Sequence, residues 1–200
     1  MIDKKSPLYP DAMYHVYNRA NGNEKLFLSE NNYSYFLKRY AYFISPIADL
    51  YSYCLMPNHF HFLIKIKSKN EIIKNLNTHF PNRYPNLNEC TTIELVLSKQ
   101  FSNFFSSYTQ AFNKQQKRMG SLFMKNFNRI LITSDKQLLN VVVYIHQNPV
   151  AASFCTNIKS WKFSSYNPIL AANNSIVCCN EVVNLFNDLD NFIYCHSSNV

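Results

Sequence analysis

The sequence predicts an α+β protein built on an antiparallel sheet. Two observations support this class: strand-like segments alternate with helical ones, and neighbouring strands are joined by short turns that suit hairpins. The chain has 200 residues, the length of one domain or of one domain with an appendage, and can bury a substantial core.

The first part of the chain contains three predicted strands and one helix. The alternating segment 12–19 is the first strand. Ser29 then caps a helix that continues to about Ile44. The segment 50–56 is the second strand, and Pro57 turns the chain into a third strand because proline cannot donate to the ladder.

The middle of the chain is predicted to hold an irregular insertion between regular elements. Residues 68–90 contain Pro81 and Pro85 and many asparagines, which favour irregular structure. A long helix over about 92–117 and a strand over 127–133 follow.

Ser134 and Asp135 begin another helix, and we expect it to end near Asn148 because Pro149 follows. We assign residues 1–170 to one domain and residues 171–200 to a C-terminal tail that is predicted to be helical.

Composition favours a nucleic-acid partner and excludes several enzyme classes. The formal charge is +8, the pI is about 9.1 and aromatic residues make up 16% of the chain, although many basic proteins bind nothing anionic. The chain has only two glycines, Gly22 and Gly120, so it has neither a P-loop nor a Rossmann fingerprint.

Cellular location and redox state follow from what the sequence lacks. No apolar run approaches the roughly 20 residues of a membrane span, and the N-terminal segment has no signal-peptide core, so we expect a cytoplasmic protein. The six cysteines form no CxxC pair, which predicts reduced and mostly buried thiols.

The third predicted strand, PNHFHFLIKIK over residues 57–67, carries two histidines on one face. His59 and His61 share that face with Lys65 and Lys67, while phenylalanines and isoleucines alternate on the other. Two imidazoles at positions i and i+2 can bind one divalent metal, although two polar residues on a solvated strand face would give the same pattern. We expect this face to be open and to handle phosphate.

The helix that begins at Ser134 carries a polar stripe opposite its apolar side. Gln137, Asn140, Tyr144 and Asn148 follow one another at spacings of three, four and four residues. If this stripe faces the histidines, a phenol and a carboxamide meet the metal; a solvated helix face is the alternative. His146 is predicted to be structural, and His15 to be a packing or surface residue.

The motifs YCLMPNHFHFLI and, about 85 residues later, YIHQNPVAA resemble those of the REP-associated tyrosine transposases. These transposases belong to the HUH superfamily of single-stranded-DNA endonucleases, together with small transposases of bacterial insertion sequences. The segments YHVYNRANGNEKLF, FNRILI and WKFSSY add to the resemblance, which covers roughly residues 9–170 in the family's order.

The resemblance implies a fold and a set of roles. The fold would be a ferredoxin-like antiparallel sheet packed against helices, the HUH endonuclease fold, over residues 1–170. His59, His61 and Asn148 would hold Mg²⁺ or Mn²⁺, and Tyr144 would be the nucleophile. The activity would be metal-dependent cleavage and joining of single-stranded DNA with hairpins, through a 5′-phosphotyrosine intermediate.

Several basic residues are candidates for contact with the DNA. Lys65 and Lys67 follow the histidines on their face, and a second group, for which a solvated charge run is the alternative, comprises Lys114, Lys117, Arg118 and Arg129. The chain would act as a monomer or a homodimer. Two other functions stay open: a non-catalytic DNA- or RNA-hairpin-binding protein domesticated from a transposase, and a metal phosphodiesterase that uses water.

Overall fold

Four antiparallel strands form the central sheet in the computed structural model, which describes residues 6–81, 83–84, 87 and 93–197. The strands are β1 (Met13–Arg19), β2 (Ala48–Met56), β3 (His59–Ile66) and β4 (Asn128–Leu131). Their spatial order is β2-β3-β1-β4, and helices connect β1 to β2 and β3 to β4. This is the ferredoxin-like arrangement, so the predicted fold class is confirmed.

Seven α-helices accompany the sheet in the described residues. They are α1 (Glu30–Phe43), α2 (Lys69–His79), α3 (Ile93–Gln116), α4 (Asp135–Ala151), α5 (Tyr166–Leu170), α6 (Cys179–Leu185) and α7 (Leu189–Ser197). Within the described ranges, no helix has both the length and the apolar character that a membrane crossing requires.

Helices α1 and α3 cover one face of the sheet with an aromatic core. The ring of Phe36 on α1 lies 5.2 Å from that of Phe60 and 4.7 Å from that of Phe104 on α3, and Tyr40 lies 4.8 Å from Phe62. All five rings are buried. Because burying one aromatic side chain contributes about 1.5–3 kcal/mol, this layer fixes the sheet that carries the histidines.

Helix α4 covers the opposite face, which the sequence led us to expect to be open. Leu138, Val142 and Ile145 of α4 are buried against β2 and β3. His61 and Leu63, on the histidine face of β3, are only 5% and 0% exposed. The prediction of an open histidine face was therefore wrong, because the alternation of a strand does not reveal whether a helix lies over its second face.

The predicted irregular insertion contains a regular helix. Residues 69–79 form α2, whose start is stabilised by a reciprocal pair: Ser68 Oγ accepts from the N–H of Glu71, and the Glu71 carboxylate accepts from the N–H of Ser68 at 3.1 Å. Ile72 and Leu76 bury the inner side of this helix. Residues 82, 85–86 and 88–90 of the predicted insertion lie outside the described residues.

Helix α4 also continues past the end that we predicted for it. It includes Pro149 and ends at Ala151, with the N–H of Ala152 bonded to the Asn148 carbonyl at 2.9 Å. A proline in the last turn removes one intrahelical hydrogen bond, and the remaining bonds and the buried Pro149 ring hold the turn.

The described part of the C-terminal tail contains α6, which packs against β2, and α7, which packs against α4. The N–H of Leu55 donates to the Phe163 carbonyl and that of Cys178 donates to the Leu50 carbonyl, both at 2.9 Å, so residues after α4 cover the outer edge of β2. Phe192 on α7 is fully buried. The division of the chain at residue 170 stays a prediction.

Among the described cysteines, Cys54 and Cys179 are buried free thiols, and Cys155 and Cys178 are half-buried ones. Burial raises the pKa of the Cys178 thiol to about 11. Thiols of this kind are poor nucleophiles at neutral pH, and they take no part in the chemistry considered below. Cys90 lies outside the described residues.

Candidate active site

The pairing of β1 with β3 gathers aromatic and imidazole rings on the face under α4. Tyr17 lies opposite His61 in the ladder, and Arg19 lies opposite His59. The rings of Tyr17 and His61 are stacked with their centroids 5.5 Å apart, and those of His59 and His61 lie edge to face at 5.3 Å. The two histidines predicted as metal ligands are therefore neighbours.

Each of the two histidines uses its Nδ1 atom in a hydrogen bond. Nδ1 of His59 lies 2.6 Å from Oδ1 of Asn58, which can only accept, so His59 carries its proton on Nδ1. Nδ1 of His61 lies 2.8 Å from Nε2 of His15. When the His61 Nδ1–H donates to His15, both His59 and His61 present an unprotonated Nε2. That is the tautomer that metal-binding histidines adopt when their second nitrogen is hydrogen-bonded.

Burial keeps these imidazoles neutral. Desolvation lowers the pKa of His15 to about 4. Desolvation, followed by the neighbouring His15 and His59, holds the pKa of His61 well below its ordinary value. Burial, followed by the charge of Arg19, lowers the pKa of His59. Neutral imidazoles are the form that binds metal.

Helix α4 brings Tyr144 over the histidines. Its start is fixed by Ser134, whose Oγ accepts from the N–H of Gln137 at 3.3 Å, and its apolar side is buried on the sheet. The Tyr144 ring is 50% exposed and lies edge-on to the rings of His61 and His15, at 5.6 Å and 5.8 Å. The predicted nucleophile thus lies beside His61, one of the predicted metal ligands of its own chain.

Asn148 lies one turn after Tyr144 on the same side of α4. Its Nδ2 donates to the Tyr144 carbonyl at 2.7 Å, so the carboxamide is held against the helix. No group of three or more His, Cys, Asp or Glu side chains in the described part of the chain is arranged to hold a metal. The predicted ligand set of two histidines and one asparagine is a different kind of group, and its role stays a prediction.

The predicted DNA-contacting cations occupy different environments. Lys65 is exposed, whereas the ammonium of Lys67 pairs with Asp49. Lys114 and Lys117 are exposed at the end of α3. Arg118 is occupied structurally, since its Nη2 donates to both carboxylate oxygens of Glu24 at 2.8 Å.

Arg129 on β4 borders a groove between α3 and the segment 120–127. The groove has a volume of about 840 Å³. Its α3 wall carries hydroxyl and carboxamide side chains, and its other wall carries Lys125, Phe127 and Arg129. The Arg129 guanidinium stacks over the Phe127 ring at 5.1 Å, and its Nε donates to the Ser6 carbonyl. This groove combines cations with flat rings, as surfaces for single-stranded nucleic acid do.

Sequence reasoning missed two residues of the site. His15, interpreted as a packing or surface residue, is 6% exposed and hydrogen-bonds to His61, and Tyr17 packs on the same histidine. Their alternation in YHVY placed His15 and Tyr17 on one face of β1. The contact between His15 and His61, however, joins residues that are 46 positions apart in the sequence.

Comparisons with known proteins confirm the resemblance that the motifs indicated. No family model matches the chain. A curated protein of Haemophilus influenzae, "Putative REP-associated tyrosine transposase", is 28% identical over 117 residues. That alignment covers 56% of each chain, so the match spans about half the length of this relative.

A solved structure of a REP-associated tyrosine transposase bound to a REP hairpin shares the fold. It superposes with a TM-score of 0.58 over 90% of both chains, at 13% sequence identity. At this level of identity the likeness establishes the fold alone.

Proposed function

We propose that the protein is a metal-dependent single-stranded-DNA endonuclease and strand transferase that acts on hairpin-flanked DNA through a 5′-phosphotyrosine intermediate. Three lines support the proposal: the shared fold, the similarity to a curated transposase, and the site itself. The observation that carries it is the position of Tyr144, half-exposed and 5.6 Å from the ring of buried His61 in the same chain.

The reaction uses the phenol of Tyr144 as the nucleophile. Its Oη attacks the scissile phosphorus, a P–Oη bond forms and the P–O3′ bond breaks. The phenol proton passes to solvent, and the leaving 3′ oxygen takes a proton to become a 3′-hydroxyl. Because the phosphotyrosine ester preserves the energy of the phosphodiester, a second 3′-hydroxyl reverses the step and joins strands without ATP.

The residues of the site fit a divalent metal. Two neutral imidazoles with hydrogen-bonded Nδ1 atoms can offer Nε2, and the amide nitrogen of Asn148 is tied to its helix, so its Oδ1 is the atom that would bind. His59, His61 and Asn148 would hold the ion, and two nitrogen ligands suit Mn²⁺ at least as well as Mg²⁺. A bound ion would polarise the phosphate and offset the charge of the transition state.

The placement of α4 favours a monomer that is complete in itself. The apolar side of α4, the helix that carries Tyr144, is buried, and α4 packs on β2 and β3 of its own chain. The groove bordered by Arg129 would hold the DNA away from the cleavage point, with Lys65 nearer the histidines.

A covalent-adduct experiment tests the function. Labelled single-stranded oligonucleotides with hairpins from the genomic flanks would be incubated with the protein and Mn²⁺, then separated under denaturing conditions. We expect an adduct that needs the metal and is abolished in Tyr144→Phe, because phenylalanine lacks the attacking oxygen. Tyr9→Phe is the matched control, since Tyr9 is also about half-exposed, at 47%.

Other outcomes would identify a different function. Cleavage without an adduct would indicate hydrolysis by water. Hairpin binding that is unchanged in Tyr144→Phe, with neither cleavage nor adduct in wild type, would indicate a non-catalytic binding protein.

A further inference from the structure

A buried chain of hydrogen bonds joins the C-terminal helix α7 to α4 and to β2. His196 Nε2 on α7 lies 2.8 Å from His146 Nδ1 on α4, and His146 Nε2 lies 2.7 Å from Ser165 Oγ. Ser165 Oγ accepts from the N–H of Tyr53 on β2 at 2.9 Å. The other end is the Phe192 carbonyl, 2.7 Å from His196 Nδ1.

The Phe192 carbonyl, at one end of this series of hydrogen bonds, fixes the direction of each bond. A carbonyl only accepts, so His196 carries its proton on Nδ1 and its Nε2 must accept from His146 Nδ1–H. His146 Nε2 is then unprotonated and accepts from the Ser165 hydroxyl at 2.7 Å, which is the shorter of the two contacts open to that proton, since the Tyr53 carbonyl lies at 3.3 Å. Ser165 in turn accepts from the Tyr53 amide, so each polar atom in this sequence has a partner of the right kind.

The three side chains of this series of hydrogen bonds are buried. His146 is 0% exposed, and His196 and Ser165 are also buried. A missing partner in such a place costs about 1–3 kcal/mol, so the geometry that satisfies all the bonds is strongly preferred. A second contact supports the same junction, since the Gln147 amide donates to the His196 carbonyl at 3.3 Å.

The position of His146 on α4 links this chain to the active site. Residues two apart on a helix point about 200° from each other, so His146 faces the core while Tyr144 faces the opposite side. A directional bond at each nitrogen of His146 therefore limits how far α4 can rotate about its axis. Leucines or valines at this interface would bury similar area without fixing the rotation.

We propose that Ser165, His146 and His196 are positioning residues that set the rotation of α4 and so aim Tyr144 at the site of cleavage. The C-terminal helix α7 thus serves the active site from the opposite side of α4. This inference rests on the proposed function for its reaction readout, but the position of Tyr144 can be measured without activity.

Two variants of His196 form a matched pair. In His196→Gln, the amide oxygen lies near the former Nε2 position and can still accept from His146. In His196→Asn, the shorter side chain can donate to the Phe192 carbonyl but cannot reach His146. The first variant keeps the bond between α7 and α4, and the second loses it.

The readouts separate positioning from folding and binding. We expect the single-turnover rate of adduct formation to fall about 10- to 100-fold in His196→Asn, because displacing a reacting group by about 1 Å has that order of effect. Hairpin affinity should stay within about twofold, and His196→Gln should react within about threefold of wild type. Ser165→Ala, which removes the donor to His146 with a smaller change in packing, should behave like His196→Asn and carries the test if that variant fails to fold.

A fluorine label at position 144 gives the readout that does not need activity. With 3-fluorotyrosine at Tyr144, the ¹⁹F resonance should shift or broaden in His196→Asn and Ser165→Ala and match wild type in His196→Gln. Folded variants with wild-type resonance and wild-type rate would overturn the proposal. If wild type forms no adduct, the proposed function fails while the ¹⁹F comparison still decides whether the chain positions Tyr144.

Discussion

At the scale of single residues, His15 belongs to the site although it lies outside the sequence motifs that predicted the site. The histidines of HFH, Tyr144 and Asn148 could be proposed from sequence, because their spacings place each pair on one side of a strand or a helix. His15 enters the site only through the pairing of β1 with β3, and no local pattern specifies that contact.

Loss of the His15 hydrogen bond should weaken metal binding. In His15→Leu the buried Nδ1–H of His61 has no acceptor, so we expect affinity for Mn²⁺ to fall about 10- to 100-fold, the usual effect of removing a residue that orients a ligand. His15→Gln places an amide oxygen near the former Nε2 and should retain most of the affinity. Free Mn²⁺ measured by electron paramagnetic resonance during titration checks both.

Equal Mn²⁺ affinity in His15→Leu and wild type would show that His61 needs no such orientation. Loss of binding in His59→Ala, measured in the same titration, identifies the ion as the one held by the site.

At the scale of secondary-structure elements, the signals at helix ends were the most informative. Ser29 and Ile44 flank α1 as predicted, and α3 runs over Ile93–Gln116 where about 92–117 was expected. The helix α2 was missed because its asparagines and the prolines after it resemble a loop, while the reciprocal Ser68–Glu71 pair that starts it is a short signal. The prediction that α4 ends near Asn148, before Pro149, was wrong because a proline in the last turn removes only one hydrogen bond from a helix.

Helix α3 contains a buried polar side chain, Gln100, whose amide makes no hydrogen bond to the described residues. Gln100 is fully buried among the phenylalanines of α3, and neither atom of its amide has a hydrogen-bond partner among the described residues. An unpaired buried amide costs about 1–3 kcal/mol.

Gln100→Met should therefore stabilise the protein by about 1–2 kcal/mol, since methionine has nearly the same shape without the polar atoms. Urea unfolding followed by circular dichroism measures the change in the free energy of unfolding. Gln110→Met on the exposed side of the same helix is the control and should give no gain. A destabilised Gln100→Met would mean that the amide has a partner, such as a bound water, that supports the fold.

At the scale of the whole molecule, the sheet is covered on both faces, and this could not be read from the strands alone. The row of β3 that carries His61 also contains Leu63, and an apolar residue there was the one sign that a helix lies over it. Under α4, His15 and His61 are buried and neutral, His59 is half-buried, and Tyr144 stays half-exposed at the margin of the helix. Burial of imidazoles in turn makes the stability of the whole fold depend on pH.

His196 gives this dependence a separable test. Burial lowers its pKa from 6.5 to about 4. Its neighbours are His146 and Tyr166, whose ring centroid lies 5.1 Å away, and Lys159 lines a cavity that His196 also lines. The unfolded state takes up the proton first as pH falls, so the stability that neutral His196 contributes is present above about pH 6.5. It is lost between about pH 6.5 and about pH 4.

The comparison of wild type with His196→Gln isolates this contribution, because glutamine keeps the bond to His146 and does not titrate. The free energy of unfolding should fall more steeply in wild type than in the variant over this pH range, and the difference between them should change by about 3 kcal/mol in total. Urea unfolding at half-unit pH steps measures both curves. The buried His15 and His61 cancel in the difference, which includes the effect that His196 has on the pKa of His146. Parallel curves would show that His196 is protonated equally in the folded and unfolded chains, and that the direction assigned to its hydrogen bonds is wrong.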